Sequence, residues 1–97
     1  MISEINKHFE SRIRLGIMSL LMVNERLDFN TVKEALQITD GNLASHITGL
    51  EKEKYITVIK EFVGKKPRTS FKATDEGRKA FTNHIDALEN LIKMNQK

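Results

Sequence analysis

Ninety-seven residues, 39% of them apolar, suffice for one small core, so a single domain over residues 1–97 is expected. Cysteine is absent, which excludes disulfides, thiolate metal sites and cysteine nucleophiles, while 30% charged residues suit a folded chain and not a disordered one. The net charge of +3 is uneven: Lys60, Lys65, Lys66, Arg68 and Lys72 against Glu61 give residues 60–72 a charge of +4, and the rest carries −1. Such a local patch suits a polyanionic partner, although a lysine-rich loop can also serve solubility alone.

The N-terminus, Met1-Ile2-Ser3-Glu4, lacks the basic region and apolar run of a signal peptide, so a cytoplasmic location is expected. Ile5, Phe9, Ile13, Ile17, Leu20 and Leu21 recur at spacings of three and four, which predicts a helix from about Ser3 to Asn24. Leu15, Met18 and Met22 widen its apolar stripe. The run Gly16 to Val23 is far shorter than the ~20 residues a bilayer requires, so no membrane partner is expected. Leu27-Asp28-Phe29 reads as a brief extended stretch. Asp28 or Asn30 can then cap a second helix, about Asn30 to Gln37, with Val32, Ala35 and Leu36 inward. Thr39-Asp40-Gly41-Asn42 is a turn into a third helix of about 40–53, with Thr39 as N-cap and Asp40 at its positive end.

Leu43, Ile47 and Leu50 mark the buried face of that third helix. At about 100° per residue, Gly41, Asn42, Ser45, Thr48, Gly49 and Lys52 fall on the other side, and His46 at the border. Tyr55 to Phe62 is β-branched and aromatic, which predicts a strand with Ile56, Val58 and Phe62 inward. Gly64 and Pro67 punctuate a turn, and Thr69 to Ala73 returns with Phe71 in the core. Thr74 caps a final helix that has Asp75 and Glu76 in its first turn and Ala80, Phe81, Ile85, Leu88, Leu91 and Ile92 as its stripe. The fold class is therefore mainly α with a β-hairpin wing, in the order helix-helix-helix-strand-strand-helix: a winged helix-turn-helix.

The motif Leu43-x-x-His46-Ile47-x-x-Leu50-Glu51-x-x-x-Tyr55-Ile56, then the basic hairpin and Ala73-Thr74-x-x-Gly77, resembles the winged-helix transcription regulators. Over about residues 10 to 94 it is most similar to the small single-domain MarR-like and ArsR-like group. That resemblance implies a dimeric winged helix that recognises double-stranded DNA through the third helix, with wing contacts to flanking DNA. One position departs from the pattern. Such proteins often carry glycine where this chain has Lys54, at the end of the recognition helix. A left-handed lysine there would cost ~1 kcal/mol.

A major groove admits one helix, and reading base edges needs donors and acceptors on its exposed face. Asn42 can pair bidentately with adenine, and the hydroxyls of Ser45 and Thr48 can serve bases or phosphates. Gly41, Ala44 and Gly49 are small enough for close backbone approach, and no arginine lies on this face. The candidate DNA-binding residues are Thr39, Gly41, Asn42, Ser45, His46, Thr48 and Lys52, with Lys65, Lys66 and Arg68 in a wing of about 63–68. The plainer alternative is an ordinary solvated helix face beside a solubilising loop.

The terminal helices are long for the core they cover, and Ile5, Phe9, Ile85, Leu88, Leu91 and Ile92 are the candidate homodimer contacts. His8, His46 and His84 stand far apart, so no metal is expected, and His46 and His84 read as boundary residues. No cofactor motif is present. A small-molecule effector has no motif in its favour; Met18, Met22 and Phe81 could line a pocket but read as core. Phosphate loops, nucleophile elbows and framed carboxylate pairs are missing, so no enzyme is expected. The competing function is a winged helix used as a protein-interaction module without specific DNA binding.

Overall fold

The computed structural model describes residues 2–94; Met1 and residues 95–97 of the expected domain lie outside the described residues. Two short 3-10 turns, Ile2–Glu4 and Lys7–Phe9, lead into helix α1, Arg12–Val23. The apolar spacing predicted one helix from Ser3, and local polar groups break it. Asn6 Oδ1 accepts the His8 N–H at 2.9 Å, and Ser11 Oγ accepts those of Ile13 and Arg14 at 3.2 and 3.3 Å. Short polar side chains compete with helical bonding in this way, and Ser11 becomes the N-cap of a shorter helix.

Strand β1, Leu27–Asp28, precedes helix α2, Phe29–Leu36, and helix α3, Asp40–Lys52. Strands β2, Ile56–Val63, and β3, Lys66–Ala73, form the wing, and helix α4, Asp75–Met94, closes the chain. The caps fall where the sequence puts them. Asp28 Oδ1 accepts the Thr31 N–H at 2.8 Å, and Thr39 Oγ1 accepts that of Asn42 at 3.2 Å. The sheet is antiparallel in the order β1-β3-β2, with Leu27 opposite Phe71 and Val58 on the other side of Phe71.

The return strand starts earlier than predicted. Val63 pairs Lys66 across Gly64-Lys65, so Pro67 lies within β3, opposite Phe62. β1 reaches only Ser70 and Phe71, which leaves Pro67 in a stretch with a free edge, where proline is tolerated. Phe62, expected inward, is 75% exposed because it stands beyond the core near the wing tip.

Ile17, Met18, Leu21, Val32, Leu43, Leu50 and Phe71 are fully buried between α1, α2, α3 and the sheet. Two ends of the core are held by close backbone approaches. Thr74 Oγ1 donates to the Lys54 carbonyl at 2.7 Å and accepts the Gly77 N–H at 2.8 Å. A β-carbon on Gly77 would lie 2.0 Å from the Tyr55 carbonyl oxygen, so only glycine lets α4 start this close to β2. At the other end of that junction α3 closes in a Schellman arrangement. Tyr55 N–H donates to Leu50 O at 3.0 Å, Lys54 N–H to Glu51 O at 2.9 Å, and Lys54 sits at φ 64°. The lysine therefore does take the left-handed conformation.

The N-terminal segment folds back on its own domain. Phe9 is 2% exposed, and its ring centroid lies 5.4 Å from those of Tyr55, Phe81 and His84. This corrects its placement among the dimer contacts: the side chain is already enclosed within one protomer. His84, read as a boundary residue, is also buried, and its Nδ1 accepts the Asn6 N–H at 3.1 Å. The other proposed contacts keep exposure: Ile85 and Ile92 are exposed, and Ile5, Leu88 and Leu91 half-buried.

Candidate nucleic-acid interface

Helix α3 has three different sides. Leu43, Ile47 and Leu50 enter the core. Ala44, Thr48 and Glu51 look across a groove at Lys60 and Thr69 of the wing. Asn42, His46, Gly49 and Glu53 form the opposite flank at helical spacing, and chain segments before and within α1 reach it. His8 Nε2 lies 3.4 Å from Glu53 Oε2, Arg14 Nε donates to His46 Nδ1 at 3.1 Å, and Arg12 and Ile13 line a recess with Asn42. Gly41, Asn42, Ser45, Thr48 and Lys52 are exposed, as the sequence implied.

The polar groups on this helix are not equally free. Thr48 Oγ1 donates to Ala44 O at 3.0 Å, so its hydroxyl presents lone pairs and not its proton. Thr39 is occupied as the N-cap, and His46 Nδ1 is engaged by Arg14. Asn42 and Ser45 have no side-chain partner among the described residues, which leaves them the most available for base edges or phosphates. Lys33 Nζ lies 2.8 Å from Asp40 Oδ1, tying α2 to the first turn of α3.

The wing tip is exposed from Lys65 to Arg68. Lys65 and Lys66 have no ion-pair partner among the described residues. Arg68 lies 3.7 Å from Asp28, Lys72 lies 4.0 Å from Glu25, and Arg26 pairs with Glu61. Hydrogen bonds from Thr31, opposed by burial and aided by Arg68, hold the Asp28 carboxyl below its usual range, so it remains an anion. Sequence reasoning missed Arg14 at this site. Its partner on α3 is 32 residues away, and the only local signal is a glycine at position 49 to make room.

Among the described residues no helix is long and apolar enough to cross a membrane, and no group of metal-ligating side chains gathers. Met18 and Phe81, considered for an effector pocket, pack in the core.

A family model described as a winged helix DNA-binding domain matches residues 13–92. The chain belongs to that family. An uncharacterized protein from Methanocaldococcus jannaschii is 38% identical over 87 residues, covering 90% of this chain and 95% of that one. The structure of a transcriptional regulator homologue from Pyrococcus horikoshii OT3 is 29% identical, with a TM-score of 0.81 over 98% of this chain and 99% of the other. MepR of S. aureus, solved as a DNA complex, superposes with a TM-score of 0.73 over 96% of this winged helix and 78% of MepR. At 20% identity that match speaks for the fold alone. The resemblance to winged-helix transcription regulators and the winged-helix fold class both hold, with a third strand, β1, added to the hairpin.

Proposed function

We propose that this winged helix is a sequence-specific transcription regulator of double-stranded DNA, in which α3 enters the major groove and the wing follows flanking phosphate or minor groove. The observation that carries this reading is the outer face of α3. It is polar, small and free of acid from Gly41 to Thr48, and it stands beside a hairpin whose tip lysines are unpaired. Asn42 and Ser45 are the base-reading candidates, while Lys52, Lys65, Lys66 and Arg68 supply phosphate contacts. Gly41 and Thr39 allow the helix start to approach the backbone closely. Two copies packed through Ile85, Leu88, Leu91 and Ile92 of α4, with Ile5, would present two reading heads to half-sites about 34 Å apart. The protein acts in the cytoplasm on this reading, without cofactor or catalysis.

Binding of the purified protein to its own upstream DNA, against scrambled DNA across a salt series, tests it. Tighter binding upstream with a steep salt slope is expected; no binding even at low salt would refute it. A sedimentation series tests the dimer, and a monomer that still binds DNA at micromolar concentration would remove it. One observation favours the second reading, a protein-interaction module. Phe62 and Val63, 75% and 52% exposed, are apolar anchors at the wing tip of a kind that protein partners use.

A further inference from the structure

Arg14 lies in the first turn of α1, yet its guanidinium lies on the recognition helix. A β-carbon at Gly49 would meet Arg14 Nη2 at 2.2 Å and Cζ at 2.8 Å, so glycine leaves a notch in α3 that the guanidinium fills. The Nε–H bond to His46 Nδ1, 3.1 Å long, fixes the plane of the group in that notch. It also fixes the histidine. An accepting Nδ1 carries no proton, so the neutral ring holds its hydrogen on Nε2. Burial, assisted by the Arg14 charge, keeps His46 below its usual range and so favours that neutral form.

The rest of the arginine is unspent. Neither Nη group has a partner among the described residues, and no carboxylate pairs with it. No buried side-chain nitrogen or oxygen there lacks a hydrogen bond, so both Nη groups reach solvent. A half-buried, oriented and unpaired guanidinium has its two-pronged edge ready for two oxygens of one anion. Its position selects the anion. Gly49 lies about 50° round α3 from the midline of the outer face, on the flank away from the wing groove. A helix in the major groove has a phosphate strand on each side.

We propose that Arg14, seated in the Gly49 notch, grips a DNA backbone phosphate on the side of α3 opposite the wing. This rests on the DNA-binding reading above and gives the recognition helix a second electrostatic support.

The test is a two-by-two set of Arg14→Ala and Gly49→Ala, with salt-dependent binding to a random-sequence duplex, since phosphate contacts carry no sequence information. Arg14→Ala should weaken binding roughly tenfold and lower the salt slope by about 0.9 for each bound protomer. Gly49→Ala keeps the charge but displaces the guanidinium. The atoms it strikes are the end of a flexible side chain, so the fold should yield and its melting stay near wild type. It should weaken binding in the wild-type background and add nothing to Arg14→Ala. An unchanged slope in Arg14→Ala overturns the proposal, and so does an equal Gly49→Ala effect in both backgrounds. A wild-type protein without salt-dependent binding would instead bring down the DNA reading itself.

Discussion

Lys54→Gly should stabilise the domain without altering what it binds. Lys54 holds φ at 64°, where a side chain costs about 1–2 kcal/mol relative to the right-handed region. Glycine removes that strain but adds freedom to the unfolded chain, which takes back roughly 0.5–1 kcal/mol. The net gain is about 0.5–1 kcal/mol, or roughly 2–8 °C in Tm for a domain of this size. Nothing else in the junction should change. The bonds from Lys54 N–H to Glu51 and from Thr74 Oγ1 to the Lys54 carbonyl use backbone atoms that glycine retains. The exposed ammonium has no ion pair among the described residues. Lys54→Ala is the control, because alanine meets the same left-handed penalty and should leave Tm near wild type. Urea and thermal unfolding of the three proteins, side by side, decide the matter. If Lys54→Gly is no more stable than Lys54→Ala, the strain assigned to this residue is absent and the Schellman closure costs nothing.

Replacing Lys65, Lys66 and Arg68 together by alanine should lower the salt slope of DNA binding by about two to three for each bound protomer, and an unchanged slope would take the wing out of the interface. Asn42→Ala should relax preference at one base position at a cost of about 1–3 kcal/mol, measured by binding to single-base variants of the site; uniform weakening would make Asn42 a positioning residue. Acid should destabilise the fold through His46 and His84. Burial lowers both pKa values, with Arg14 adding to the effect at His46 and Glu10 opposing it at His84. The unfolded chain then takes up these protons first, so the contribution is complete above about pH 6.5 and is lost as pH falls through the lower folded values. A His46→Gln, His84→Gln variant should show a shallower loss of urea stability across that window than wild type.

The fold was legible where two signals agreed. Thr39 and Thr74 cap helices whose apolar periodicity begins right after them, and both caps form. Misreadings came from places where one signal stood alone. The stripe from Ile5 to Leu21 is continuous, but periodicity records which residues face inward and not whether the backbone between them stays helical. Asn6 and Ser11 decide that, through bonds of local range. Phe62 alternates correctly with Val58, yet the sequence does not reveal where along a hairpin the core ends. Half of the proposed interface was visible for a similar reason. A helix face can be computed from one segment, whereas Arg14 arrives from a different helix and depends on a missing β-carbon at Gly49.

Charge counted along the chain also changes meaning in three dimensions. The +4 of residues 60–72 is not all available to a partner. Arg68 and Lys72 face Asp28 and Glu25, whereas Glu61 is covered by Arg26. Exposed pairs of this kind are weak and exchange readily for a phosphate, so they blunt the field of the wing without closing it. The cations of this segment without an ion pair among the described residues are Lys65 and Lys66 at the tip and Lys60 in the groove facing Thr48 and Glu51. Pairing thus draws the positive potential away from the β1 side of the sheet and towards α3. Arg14 adds an unpaired charge on the opposite flank of the same helix. A helix with cations on both sides and small polar residues between them is suited to lie in a groove walled by two phosphate strands. A flat protein surface would need only one such side. That asymmetry makes the response to Arg14→Ala the sharper discriminator between a DNA partner and a protein partner at the exposed Phe62.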